Sequence, residues 1–113
     1  VGVVGGIVPY NSPIQISLAK LVPALAAGCT VVLKAPPQTP WITAALGKVI
    51  AEQTDIPPGV VNVLTSSEVA VGEALVTSPL VGVTVIIATH DEGMLGRHAG
   101  CLVRLAEGRV SAQ

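Results

Sequence analysis

Four short stretches of the chain hold side chains able to do chemistry: residues 9–11, 34–38, 65–68 and 88–93. Together they carry an amide (Asn11), an ammonium (Lys34) and several hydroxyls (Thr65, Ser66, Ser67, Thr89). An amide is a fixed N–H donor, suited to an oxygen on which negative charge develops. A lysine and hydroxyls beside helix starts suit a phosphate-bearing ligand, because the first turn of a helix presents unpaired N–H groups and a positive dipole end. Each residue also has a plain structural use: Asn11 can simply turn the chain, and Lys34 can be a solvated lysine at a strand end.

The elements that must position these residues follow from hydrophobic patterning. Residues 3–8, 30–33, 60–64 and 83–87 are short, β-branched and nearly continuously apolar, as parallel strands covered on both faces should be. Between the first two, Leu18, Leu21, Val22 and Leu25 recur at helical spacing, and Gly28 offers a helix stop. Pro23 interrupts that helix and should kink it. Between the second and third strands, Ile42, Leu46, Val49 and Ile50 form a similar stripe, with Lys48 and Glu52 turned to water.

Ser12-Pro13 and Thr39-Pro40 each place a hydroxyl before a proline, an N-cap followed by the first helical position. A third helix, capped by Ser66 or Ser67, should bury Val71, Ala74 and Leu75 and close at Ser78-Pro79. Thr89, followed by Asp91 and Glu92, suits the start of a fourth. The tail 101–113 has weak periodicity and reads as helix or coil. The order β-α-β-α-β-α-β specifies an α/β fold, an open parallel sheet with helices on both faces, whose ligands bind beyond the carboxyl ends of the strands. Neither G-x-G-x-x-G nor a Walker loop is present.

The residues themselves say more. "GIVPYNSP", then "KLVPALAAGCTVVLKAPPQTP", then "IPPGVVNVLT" resemble, in order and spacing, the P-W-N-F-P, K-L-x-P-A-L-A-x-G-N-x-V-V-L-K-P and P-P-G-V-V-N segments of the aldehyde dehydrogenase superfamily. The resemblance implies a partial Rossmann-like NAD(P)-binding domain over residues 1–100, with 101–113 a divergent tail. It implies that Asn11 donates its amide to the oxyanion of a thiohemiacetal, and that Lys34 holds the adenosine ribose. Ile7, Val8, Pro9 and Tyr10 would line the cleft, with Tyr10 in place of a tryptophan, and Gly72 would pass close to the adenine. At Pro37 the family commonly has a ribose-binding glutamate; without that carboxylate the cofactor is NAD or NADP.

Departures gather toward the end. Ile86, Ile87, Ala88 and Thr89 stand where the family has F-T-G-S, so only Thr89 keeps a hydroxyl beneath the pyrophosphate, and Ala88 would crowd a phosphate approaching the backbone. The E-L-G-G-K segment with its general-base glutamate is missing, and so is the nucleophilic cysteine. Cys101 is too near Thr89 to match that nucleophile. Cys29 suits the entry of a buried strand. His90 and His98 have no partner at a motif spacing, Glu52, Asp55 and Glu73 read as solvated charges, and no metal site is expected.

Composition is consistent with a piece of a larger enzyme. One domain at most fits into 113 residues, and the chain opens on Val1 inside an apolar run, as an internal segment would. Half the residues are hydrophobic and 12% charged, which implies apolar surface meant to be covered. A net charge of −1 disfavours nucleic acid. Mean hydropathy is +0.72, but the longest uncharged apolar runs are too short or too interrupted to span a membrane. Two distant cysteines fit a reduced, cytoplasmic chain. The expectation is a fragment of an NAD(P)-dependent enzyme that oxidises a small-molecule aldehyde to its acid, a homo-oligomer when intact. The alternative is a catalytically dead relative, at most a weak nucleotide-binding or assembly module.

Overall fold

A computed structural model of the chain describes residues 2–82, 103–106 and 109–112. Strands β1 (Val3–Ile7), β2 (Thr30–Lys34) and β3 (Val61–Leu64) alternate with helices α1 (Pro13–Ala26), α2 (Pro40–Gln53) and α3 (Val69–Thr77). The strands form a parallel sheet in the order β1-β2-β3. Register pairs Ile7 with Lys34 and Lys34 with Leu64, so the three strands end level at one carboxyl edge. The expected fourth strand at 83–87 and the helix starting at Thr89 lie outside the described residues.

Neighbouring glycines in β1 show how the sheet is covered, since adjacent residues in a strand point to opposite faces. A Cβ on Gly6 would meet Leu33 and Lys20; one on Gly5 would meet Leu75 and Val81. Thus α1 lies on one face and α3 on the other. The first face holds the core, Val8, Leu21, Ala24, Val31 and Leu33, extended by Leu46, Ile50, Val61 and Val63. On that same face α2 joins α1, its Gly47 set against Val63.

After β3 the chain does not continue outward: α3 packs against β1 on the opposite face. Open α/β sheets bind ligands beyond the carboxyl ends of their strands, here the edge where β1, β2 and β3 end level.

Local stops behave as the sequence requires. Gly28 has φ +75°, with its N–H on the Leu25 carbonyl at 2.9 Å and the Cys29 N–H on the Ala24 carbonyl at 3.0 Å, a Schellman end for α1. Pro57-Pro58-Gly59-Val60 closes with Val60 N–H on the Pro57 carbonyl at 3.2 Å and Gly59 at φ +85°. Only glycine accepts that sign of φ cheaply at the third position of such a turn.

Several expectations are corrected. The buried line of α1 is Ser17, Leu21 and Ala24, whereas Leu18 and Val22 are exposed. Small side chains at 17 and 24 let the helix lie close to the strands, which rotates Leu18 and Val22 outward. In α2 only Thr43 is fully buried, and Val49 is exposed. In α3 the buried residues are Gly72 and Leu75, not Ala74. Ser12 and Thr39 do occupy N-cap positions before proline, but their hydroxyls make no capping bond. The α3 cap is Glu68 rather than Ser66 or Ser67; Ser66 Oγ instead accepts the Glu68 N–H at 3.1 Å. In the tail, Val103–Ala106 (β4) and Arg109–Ala112 (β5) pair antiparallel. This corrects the expectation of helix or coil for the tail, whose short β-branched stretches around Val103 and Val110 suit strands.

Candidate functional site at the carboxyl edge of the sheet

The site begins with Lys34, the last residue of the central strand. Its side chain leaves the sheet on the α3 face and is only 7% exposed. Gly72 roofs the stem: a Cβ at Gly72 would lie 3.6 Å from Lys34 Cδ and 3.7 Å from Cε, and 3.9 Å from Ile7 Cδ1. The ammonium then donates to the Ser66 carbonyl at 3.1 Å, tying the β2 end to the β3–α3 loop. Three predicted residues, Ile7, Lys34 and Gly72, are thereby brought together.

Beside this tie lies an open cleft of about 230 Å³, lined by Pro37, Pro40, Thr65, Ser66 and Ser67. Two pyrrolidine rings form an apolar wall, and three hydroxyl residues form a polar one. An ammonium has three N–H donors, and the Ser66 carbonyl takes one of them. The sequence singles out Pro37, but offers Ser66 and Ser67 mainly as caps and Pro40 only as a helix start. Nothing local in the sequence reveals that these two loops face each other, because the tie joins residues 32 positions apart.

The remaining predicted residues follow β1. Val8 continues the ladder, its N–H on the Lys34 carbonyl at 3.1 Å, but its side chain is 2% exposed and belongs to the core. That leaves its backbone rather than its side chain for any ligand. Pro9 is half-buried, while Tyr10 and Asn11 are exposed just before α1. Ser12 and Pro13 start the helix, so the Asn11 amide has no structural duty at the cap. Thr89 lies outside the described residues, as do His90, His98 and Cys101.

One further cation approaches the sheet, on the face opposite Lys34. The Lys20 stem passes over Gly6, whose Cβ would sit 3.3 Å from Lys20 Cδ, and burial lowers the Lys20 pKa from its ordinary value of 10.5. Among the described residues no helix is long and apolar enough to cross a membrane.

Comparison with known proteins bears on the same residues. Residues 1–95 match the family described as "Aldehyde dehydrogenase family". The mitochondrial succinate-semialdehyde dehydrogenase of Arabidopsis thaliana is 47% identical over 81 residues, 72% of this chain and 15% of that relative's length. Succinate-semialdehyde dehydrogenase [NADP(+)] GabD of Escherichia coli (strain K12) is 47% identical over 81 residues, 72% of this chain and 17% of its length. An aldehyde dehydrogenase of Enchytraeus buchholzi is 38% identical over 95 residues, 84% of this chain and 19% of its length. The chain thus spans less than a fifth of the length of these relatives. With most of its residues inside the match, this chain belongs to the aldehyde dehydrogenase family.

Proposed function

We propose that the chain forms the cofactor side of an NAD(P)-dependent aldehyde dehydrogenase, an enzyme that oxidises a small-molecule aldehyde to a carboxylic acid. The observation that carries this reading is the convergence at the carboxyl edge. Lys34, Ser66 and Gly72 meet beside a cleft at the carboxyl ends of the strands, where open α/β sheets bind nucleotides. The cleft fits such a ligand: Lys34 and the loop hydroxyls would hold the adenosine ribose, Gly72 would leave room for the adenine, and Ile7 with the backbone of Val8 and Pro9 would line the path toward Tyr10 and Asn11. When bound, the nicotinamide supplies an acceptor for the two electrons of the aldehyde C–H bond.

Asn11 is assigned to the reacting end. Its exposed amide would donate to the oxygen of an aldehyde carbon under attack by a cysteine, where a fixed donor strengthens as charge develops; losing one such donor costs about 3–4 kcal/mol of barrier. No matching cysteine nucleophile or general base is present in these residues, so the chain alone should turn over no aldehyde. A cytoplasmic, reducing setting and a homo-oligomeric whole enzyme belong to the same proposal. The two relatives acting on succinate semialdehyde, by their names, make a short aldehyde bearing a carboxylate a reasonable first substrate for the whole enzyme.

Titration of the isotope-labelled chain with NAD and with NADP, followed by amide NMR, tests the cofactor side. Saturable shifts at Ile7, Lys34, Ser66 and Gly72 in the micromolar range are expected. No shifts at millimolar cofactor would rule out the cradle and leave the catalytically dead relative.

A further inference from the structure

We propose that Asn11 is a self-modification site: the backbone nitrogen of Ser12 closes on the Asn11 side chain, expels its ammonia, and leaves an aspartyl or isoaspartyl carboxylate. The modification stands on the loop alone; its consequence, loss of the amide that would serve an oxyanion, rests on the reading above.

The loop leaves both reacting groups free. Asn11 is exposed, and among the described residues neither its amide nor the Ser12 N–H makes a hydrogen bond. Before it, Val8 N–H is held by the Lys34 carbonyl; after it, Ile16 N–H holds the Ser12 carbonyl. Between these two bonds Pro9 has no N–H to give, and among the described residues no backbone bond fixes Tyr10 or Asn11. The Asn11 torsions can therefore turn its amide carbon toward the next nitrogen. Ser12 adds a single hydroxyl to its Cβ, so little crowds that nitrogen, and the hydroxyl is not engaged as a cap.

Asn62, the only other asparagine in the sequence, is the contrast. It is exposed as well, so exposure is not the difference. Its amide donates to the Gly59 carbonyl at 2.8 Å, its backbone is fixed in β3 opposite Val32, and the β-branched Val63 crowds the nitrogen that would attack.

In the reaction the Ser12 nitrogen loses its proton and bonds to Asn11 Cγ. The Cγ–Nδ2 bond breaks, and the nitrogen leaves as ammonia with that proton. Water then opens the five-membered imide at either carbonyl, so the net change is amide plus water to carboxylic acid plus ammonia, with nothing oxidised or reduced. The acid ionises at neutral pH. A donor becomes an acceptor with a negative charge, the opposite of what a developing oxyanion needs.

Purified chain held at mildly alkaline pH, which favours loss of the Ser12 proton, is digested and mapped by mass spectrometry at both asparagines. Asn11 should convert at least about tenfold faster than Asn62, the factor set by one hydrogen bond that Asn62 must first break. Its rate should be comparable to that of a synthetic peptide of residues 8–15, with both aspartyl and isoaspartyl products. Ser12→Val, which removes no capping bond, should slow Asn11 toward the Asn62 rate. Conversion far slower than in the peptide would show that the fold shields Asn11 and would overturn the proposal. Unchanged conversion in Ser12→Val, or aspartate without isoaspartate, would also overturn it, because the Ser12 nitrogen would not be the nucleophile. No nucleotide enters these measurements, so their failure leaves the cofactor reading intact, and failure of nucleotide binding leaves the modification site intact.

Discussion

The two faces of the sheet are built differently. On the α1–α2 face, Val31 and Leu33 are fully buried beneath Leu21 and Ala24, and the strands are sealed from water. Among the described residues, a nine-residue helix covers β1 on the α3 face through Leu75 and Gly72, while Asn62 and Leu64 at the far strand stay exposed. The closed face holds the sheet together. The thin face carries the Lys34 ammonium tied to Ser66, and the cleft opens at the strand ends beside that tie, since a ligand needs a place where packing is incomplete. Truncating Leu33 to Ala should therefore have the largest effect on folding, about 2–5 kcal/mol lost with a residual cavity. Leu75→Ala should cost distinctly less, because water can reach the gap it leaves. Urea denaturation of both variants makes the comparison, and equal losses would mean the α3 face is as closed as the other.

Glycines sharpen the contrast. Gly6 faces the closed side, and a Cβ there would lie 2.8 Å from Leu33 Cδ2. Gly6→Ala should cost about 1–3 kcal/mol by overpacking. Gly72 sits inside α3 with ordinary contact distances of 3.6 Å and more around a new Cβ. There alanine should stabilise by about 0.5–1 kcal/mol, the usual gain in a helix interior. If the cofactor reading is right, Gly72→Ala should weaken nucleotide binding even as it raises the melting temperature. A variant that gained stability and lost no affinity would show that Gly72 serves only helix packing.

Lys34→Met separates the two roles of one residue. Removing a largely buried ammonium relieves a desolvation cost, and the Ser66 carbonyl it releases borders an open cleft where water can replace it. Global stability should shift by less than about 1 kcal/mol, while hydrogen exchange at residues 65–68 speeds up and nucleotide affinity falls. Unchanged exchange there would show that the 3.1 Å bond does not hold the loop.

Much of this arrangement was legible in the chain itself. Strand positions, helix starts at Pro13 and Pro40 and the stop at Gly28 follow from local chemistry: β-branched runs, proline at the first helical position, a residue free to take positive φ. The rotation of α1 was not legible, because Leu18 and Val22 look like core residues until the sheet is present and the smaller Ser17 and Ala24 fit closer to it. The cleft was hidden for a related reason. Its two walls are far apart in sequence and meet only through the pairing of β2 with β3, so Ser66 and Ser67 read as caps when seen alone. Asn11 and Lys34 stood out through family resemblance rather than pattern, since an exposed asparagine and a strand-end lysine are ordinary by themselves.

The smallest expected effect lies on the closed face, where Lys20 crosses Gly6. Burial lowers its pKa from 10.5, so between the lowered folded value and 10.5 the unfolded chain binds more protons than the folded one. Stability then rises with pH across that window, opposite in sign to a lysine held by an acidic partner. The rise is modest, because the side chain is only half-buried and solvent screens the charge. Lys20→Met should remove it: the difference in urea midpoint between variant and parent, measured from pH 8 upward, should shrink toward alkaline pH. If the difference instead grew, the ammonium would be stabilised by a partner more than it is penalised by burial. The closed face would then contain a working charge, and the division between a sealed face and a chemical one would have to be redrawn at Lys20.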